Sequence, residues 1–596
     1  MAKTDGDGPE PVDMLTPSLD ELQHWTGVIG RAQQLMLEYA ATQAAKAPMA
    51  LPDFSKLLTM TEPTGFGVDT QRLADAQADF WKDSLTLWQR FLDPTKPEPA
   101  PAPASEKSDR RFAAPQWRHN PLFDLIRQSY QLLSDHMVRS VGAVEGLSAK
   151  QREQMLFATR AFADAIAPSN FLATNPLALE KIIATRGESM LRGLENLLAD
   201  LGRGQLTHSE RSRFVMGENI ATTPGKVIYE TPLFQLIHYA PTTTRVAAIP
   251  LVVFPPWINR FYILDLNPQK SFVRWAVGQG LSVFMVSWRS ADESLAGTML
   301  DDYVAAQIEA IDMIRDVLGV ESVHAIGYCV AGTTLAATLA LLAARGEADK
   351  VATATFFTAQ VDFAQAGDLS LFIDDRQLDL VAELSSGKGY LDGRYMAAAF
   401  NLLRGRDLIW NTVVQNYLLG EDHPAFDLLH WNGDTTNLPA AWHLAYLRDF
   451  YRDNLLVRPG GIAIAGTPID LTKIATPAYI QAGREDHIAP AESVWKITDY
   501  LTGPLRFVLA GSGHIAGVVN PPEAGKYQYW TSETPAATFA DFVAQANETK
   551  GSWWPDWRAW QATHDGRTVP AKGARIPGKG KRKPIEDAPG RYVSMR

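Results

Sequence analysis

The chain has 596 residues, one of them a cysteine; 46% are hydrophobic, 21% are charged and the formal net charge is −11. That is the composition of a folded globular protein, long enough for up to about four domains, or fewer if large α/β units are present. A lone cysteine excludes an internal disulfide framework and a Cys-rich zinc or iron–sulfur site, and the acidic balance argues against a general nucleic-acid binder.

Residues 1–10 are polar and acidic, with no basic stretch leading into an apolar one, so no secretory signal is expected and the chain is placed in the cytoplasm. Residues 1–95 carry helical, amphipathic patterns. The segment Pro94-Thr-Lys-Pro-Glu-Pro-Ala-Pro-Ala-Pro103 reads as an extended linker. Helical periodicity returns over 121–201, as in Leu122, Leu125, Ile126, Tyr130 and Leu133, so residues 1–205 are expected to form an α-helical domain.

From about residue 225 the character changes. Short apolar runs at 247–254, 281–288, 322–326, 352–357, 478–481 and 505–509 alternate with helical patterns. Buried strands separated by helices imply a parallel sheet, and so an α/β catalytic domain over 206–596. The alternation lapses over 363–472, which reads as an insertion above the sheet edge, a cap or lid. The longest apolar run, residues 330–344, falls short of the roughly 20 residues a bilayer demands, so it reads as a buried helix and no membrane span is expected.

Near the C-terminus Trp553, Trp554, Trp557 and Trp560 form either core or an apolar contact surface. Residues 561–596 hold nine Lys/Arg against three Asp/Glu and read as a solvated basic tail, or as a contact for an acidic partner.

The setting of the cysteine is the informative feature. A strand runs into Gly327-Tyr-Cys329-Val-Ala-Gly-Thr-Thr, and a Leu/Ala-rich helix follows. Strand, tight turn between small residues, then helix is the layout of a nucleophile elbow. The helix N-terminus behind the turn favours negative charge at a thiolate, and the Val330 amide is placed to face an oxyanion. The bland alternative is a buried, inert thiol. No Gly-x-Ser-x-Gly occurs to compete for the role.

In such a fold an acid and then a histidine follow on loops after later strands. Arg484-Glu-Asp486-His-Ile-Ala-Pro490 and Gly511-Ser-Gly-His514-Ile-Ala-Gly517 occupy those places. Glu485 competes with Asp486 for the acid. His487 adjoins the acid and is a poor base on geometry.

These stretches closely resemble the class I, short-chain polyhydroxyalkanoate synthases. So do Pro255-Pro-Trp-Ile-Asn-Arg-Phe-Tyr-Ile-Leu-Asp-Leu266, Phe284-Met-Val-Ser-Trp-Arg289, Phe426-Asp-Leu-Leu-His-Trp-Asn432, Ser512-Gly-His-Ile-Ala-Gly-Val-Val-Asn-Pro-Pro522, Gly551-Ser-Trp-Trp-Pro-Asp-Trp557, Ala588-Pro-Gly-Arg-Tyr-Val593 and Pro168-Ser-Asn-Phe-Leu-Ala-Thr-Asn-Pro176. The resemblance runs from about residue 110 to the end, and it implies an α/β-hydrolase fold behind the helical domain. It also implies an acyltransferase that polymerises (R)-3-hydroxyacyl-CoA, mainly 3-hydroxybutyryl-CoA, through a thioester on Cys329, with release of CoA. His514 is then the base, and the resemblance favours Asp486 over Glu485 as the acid. The second oxyanion amide comes from Trp257 or Ile258, with Ile258 preferred. No metal and no cofactor beyond the substrate's own CoA are expected. The resemblance further implies a homodimer at the surface of a polymer granule, with granule-associated proteins as further partners. One departure stands out: the family elbow reads Gly-x-Cys-x-Gly, and the last position here is Ala331. The alternatives are a polyester depolymerase or thioesterase using the same three residues with water, and a non-catalytic granule-binding protein.

Overall fold

The computed structural model describes residues 19–44, 67–93 and 109–596. The Pro/Ala-rich segment at 94–103 lies outside the described residues. The chain forms two compact units. One holds 19–44, 67–93, 109–207 and 404–423; the other holds 208–403 and 424–596.

The first unit is helical: α1 Leu19–Ala44, α2 Thr70–Leu92, α3 Pro121–Val141, α4 Ala149–Ala165, α5 Pro176–Ala184 and α6 Glu188–Arg203. Local signals set the starts. Asn120 and Asn175 accept backbone N–H groups at the heads of α3 and α5, each followed by Pro at the first helical position, and Ser148 with Gln151 forms a capping box on α4. Gly204 ends α6 in the left-handed region, at φ 66°. Residues 404–423 fall in this unit, although their place in the sequence is inside the insertion. They pack on α6, where a side chain at Gly193 would collide with the Tyr417 carbonyl and the Tyr417 hydroxyl donates to buried Asp200 at 2.5 Å.

The second unit is built on one sheet of 11 strands. Its strands are β1 Gly225–Glu230, β2 Phe234–Tyr239, β3 Leu251–Phe254, β4 Val283–Trp288, β5 Val323–Tyr328, β6 Val351–Phe357, β7 Ala478–Gly483, β8 Leu505–Ala510, β9 Gln528–Thr531, β10 Asn547–Lys550 and β11 Glu586–Asp587. Across the sheet the order is β11-β1-β2-β4-β3-β5-β6-β7-β8-β9-β10. The six strands from β4 to β8 in that order are mutually parallel. Both flanks are antiparallel, a correction to the parallel sheet implied by the apolar runs. Residues 231–233 are too short for a crossover, so β1 and β2 pair as a hairpin.

Side chains along each strand alternate between two cores. On β4, Phe284, Val286 and Trp288 join one core while Val283 and Met285 join the other; on β5 the division is Val323 and Ala325 against Ile326 and Tyr328. Both faces are therefore buried, as parallel strands require. Helices α7 Leu300–Leu318 and α8 Val330–Ala344 cover the first face, and α9 Trp554–His564 the second. Every residue of α8 from Val330 to Leu342 is buried, which explains its apolar composition all round, and no described helix is long and apolar enough to cross a membrane.

The basic tail is not a solvated arm. Residues 568–570 pair with 245–247, β11 pairs with β1, and Arg575 is buried with its guanidinium on the carbonyls of Ala247 and Ala248. Tyr592 and Val593 are buried, and Arg260 donates to the carbonyls of Tyr592 at 3.1 Å and Met595 at 2.5 Å. Of the nine cations of the tail, Arg575 is buried in this way and the other eight are exposed.

Candidate active site

Cys329 stands between β5 and α8 with φ 52° and ψ −127°, a left-handed conformation that costs a residue bearing a Cβ. Its N–H donates to the Phe357 carbonyl of β6 at 2.8 Å. The turn closes only because Gly327 and Gly332 touch. A Cβ on Gly327 would lie 2.5 Å from Gly332 Cα, and one on Gly332 would enter the Ala359 side chain and lie 2.8 Å from the Gly327 carbonyl oxygen. The close approach thus falls at 327 and 332 rather than at 331. Ala331 is fully buried, and its carbonyl accepts from Gln307 at 3.3 Å, so an alanine is accommodated there. We expect Gly332→Ala to lower stability by about 1–3 kcal/mol through overpacking. Ala331→Gly costs no more than about 1 kcal/mol, the ordinary helix penalty of glycine. Denaturant midpoints measure both.

The loops after β7 and β8 clasp each other. The Glu485 N–H donates to the Ser512 carbonyl at 3.1 Å, and the Arg484 N–H to the Ala510 carbonyl at 2.8 Å. This seats His514 against Asp486, with Nδ1 2.7 Å from Oδ2. The other carboxylate oxygen accepts the N–H groups of Ile488 and Ala489, both at 2.9 Å, and the Asp486 side chain has no exposed surface. Glu485 is exposed, which leaves it no part in this pairing. His487 is half-buried, and its carbonyl accepts the Asp368 N–H of the insertion at 3.2 Å. Burial by itself disfavours the His514 cation, but the Asp486 carboxylate and the Cys329 sulfur outweigh it and hold the imidazole well above the usual histidine range.

Cys329, Val330, Ile258 and His514 line one cavity of about 70 Å³. Val330 is the first residue of α8, so its N–H has no acceptor within the helix. The insertion supplies the opposite wall with Leu369, Met396, Phe400, His443, Tyr446 and Tyr451. Asp486 stands behind His514, outside the lining. Thiol, imidazole and carboxylate in a row beside an unpaired amide can form and discharge an acyl thioester.

Known proteins match the chain along most of its length. Residues 108–276 match the family model described as "Poly-beta-hydroxybutyrate polymerase (PhaC) N-terminus", and residues 251–521 match the alpha/beta hydrolase fold. The Poly(3-hydroxyalkanoate) polymerase subunit PhaC of Rhizobium meliloti is 45% identical over 89% of this chain and 86% of its own. The chain belongs to the poly(3-hydroxyalkanoate) polymerase family. The corresponding polymerase subunit of Cupriavidus necator is 42% identical, covering 89% of this chain and 90% of its own, and the polymerase of Methylorubrum extorquens is 45% identical over 88% and 86%. The chain is therefore an enzyme of α/β-hydrolase fold, and the reaction of its family is the polymerisation of hydroxyalkanoate units.

Three further side chains hold the candidate site, and residue pattern alone did not assign them that part. The Tyr328 hydroxyl, beside Cys329 in the elbow, donates to the His514 carbonyl at 3.1 Å. The indoles of Trp553 and Trp554 donate to the carbonyls of Gly517 at 2.7 Å and Val518 at 2.9 Å, on the loop that carries His514. Both tryptophans are fully buried, so they are core, and their part in holding that loop depends on contacts 36 residues apart in sequence.

Proposed function

We propose that this polymerase carries its growing polyester on Cys329. The thiolate attacks the carbonyl carbon of an (R)-3-hydroxyacyl-CoA, and the N–H groups of Val330 and Ile258 receive the oxyanion. The carbon–sulfur bond to CoA breaks, and the His514 cation protonates the leaving thiolate. Neutral His514 then takes the proton of the 3-hydroxyl of a further unit as that oxygen attacks the Cys329 thioester. An ester forms, the carbon–sulfur bond to Cys329 breaks, and the thiolate is restored beside the His514 cation; the chain, longer by one unit and now a CoA thioester, returns to Cys329 by the first step with release of CoA. Asp486 acts through His514, fixing its tautomer and stabilising its cation.

The observation that carries this reading is the single row Cys329–His514–Asp486 opening on an apolar cavity roofed by the insertion. All three hydrogen bonds to the Asp486 carboxylate are internal and its side chain has no exposed surface, so it has no free face with which to activate a hydroxyl directly. The small cavity, about 70 Å³, suits a four-carbon unit and so a short-chain substrate. Its apolar walls exclude the water that a depolymerase or thioesterase needs. The reaction draws on no cofactor beyond the CoA of the substrate. As the family resemblance implies, the working form is a homodimer at the surface of a cytoplasmic polymer granule.

Incubating the pure protein with (R)-3-hydroxybutyryl-CoA tests this. Released CoA with insoluble polyester is the expected result; free CoA with soluble 3-hydroxybutyrate alone overturns it in favour of the hydrolase.

A further inference from the structure

Residues 255–260 form the loop after β3 that carries Ile258 to the cavity beside Cys329. Two indoles pin its first half: Trp288 donates to the Pro255 carbonyl at 2.8 Å, and Trp257 to the Thr334 hydroxyl of α8 at 3.3 Å. The second half ends on Arg260, which is 2% exposed. Its guanidinium gathers two other segments. It donates to the carbonyls of Tyr592 at 3.1 Å and Met595 at 2.5 Å near the C-terminus, and to that of Thr435 in the insertion at 3.4 Å. Asp434, itself buried, has Oδ1 3.6 Å from Arg260 Nε, accepts the Tyr262 hydroxyl at 2.8 Å and meets the Arg596 guanidinium.

A buried cation is costly to desolvate even beside a carboxylate, and a well-packed apolar side chain of the same size often serves stability as well or better. Here the charge adds geometry. The backbone of the same residue is tied to the cavity wall: the Arg260 carbonyl accepts the Trp431 indole N–H at 2.7 Å, and Asn259 forms a backbone bridge with Thr435. Ile258, Asn259, Trp431 and Asn432 all line the cavity. The C-terminal side of this clasp is anchored in turn, for the Tyr592 N–H donates to the Gln235 side chain at 3.1 Å and its hydroxyl to the Thr231 carbonyl at 2.7 Å. The last residues of the chain thus fix the loop next to Ile258.

We propose that Arg260 is a positioning residue: clasped to Asp434 and to the carbonyls of Tyr592 and Met595, it holds the Ile258 N–H where the oxyanion of acyl transfer forms. The inference rests on the cysteine reading above. An oxyanion donor works only if it is fixed in advance, and a misplacement of about 1 Å costs up to about 100-fold in rate. Such a loss falls on the transition state and leaves substrate binding nearly unchanged.

The test compares two reactions of Cys329 in the full-length enzyme. Acylation by (R)-3-hydroxybutyryl-CoA passes through an oxyanion; alkylation by iodoacetamide, in which the thiolate displaces iodide from a saturated carbon, forms none. In Arg260→Met the kcat for CoA release falls about 10- to 100-fold with KM within about threefold of the parent's, while the alkylation rate stays within about twofold. Arg260→Lys, which keeps the charge beside Asp434, loses less. A chain ending at Ser594, without Met595 and Arg596, shows the same split and serves as the second variant should the methionine form fail to fold. Equal losses in both reactions, or CoA release within about twofold of the parent's in the methionine variant and the shortened chain, overturn the proposal. Mass spectrometry of the parent after incubation with substrate separates the two readings. No acyl group on Cys329 overturns the cysteine reading and this inference with it; an acylated Cys329 with unaltered kinetics in the variants overturns the clasp alone.

Discussion

Cys329→Ala abolishes polymer formation and CoA release, with a loss of at least about 10⁴-fold. The thiol is the only nucleophile on the elbow, and the side chains around it offer no substitute in line with His514. Alanine keeps the Cβ and the backbone strain of the parent residue, so the variant folds and its denaturant midpoint stays within about 0.5 kcal/mol of the parent's. Polymer accumulation in cells producing the variant must disappear with it. Were accumulation to continue unchanged, the chain would be a non-catalytic granule protein and the covalent mechanism would be wrong.

The second large effect is expected from Asp486→Asn, which lowers turnover by about 10³- to 10⁴-fold without removing a reacting atom. The amide leaves His514 in the wrong tautomer and withdraws the charge that opposes burial. With the carboxylate present the imidazole is held well above its usual range; without it, burial is opposed only by the Cys329 sulfur and the value falls. NMR titration of the His514 ring reads the change directly. Stability follows the same sign. In the parent, the raised value contributes stability that is fully present below about pH 6.5 and lost as pH rises through the folded-state value. In the variant that contribution is gone, so the stability gap between the two widens as pH falls from about 9 towards 6. A gap independent of pH would show that the Asp486 charge does not set the state of His514. Thiol alkylation of Cys329 near neutral pH slows in the same variant, since the base is no longer oriented.

The sequence carried the site further than it carried the fold. Cys329, Asp486 and His514 were legible because each sits on a loop just after a buried strand, and strands of that kind leave a continuous apolar run. The helix at 330–344 was legible for the same reason. The flanking strands β1, β2, β9 and β10 were not, because polar residues interrupt their apolar pattern, Gln235 and His238 in buried β2 among them; β10 is exposed at every position. The tail misled in part: eight of its nine cations are exposed, as read, but its backbone pairs with residues 245–247 and with β1, and Arg575 is buried on backbone carbonyls supplied by residues 247 and 248. The segment 404–423 had visible helical character, but periodicity does not name the surface a helix packs on, and only Gly193, Asp200 and Tyr417 in contact assign it to the helical unit.

One cysteine in 596 residues, with its elbow, its acid and its histidine in chain order, was determined by the sequence alone, since strand–turn–helix geometry is encoded within a few neighbouring residues. The tertiary structure decided which carboxylate faces the imidazole, with Asp486 buried against it and Glu485 turned out to solvent. It decided that the glycine contact of the elbow falls at 327 and 332, and that tryptophans near the C-terminus hold the histidine loop. Each of these is a meeting of residues distant in the chain, and burial and hydrogen bonding between distant residues exist only once the chain has closed around its core.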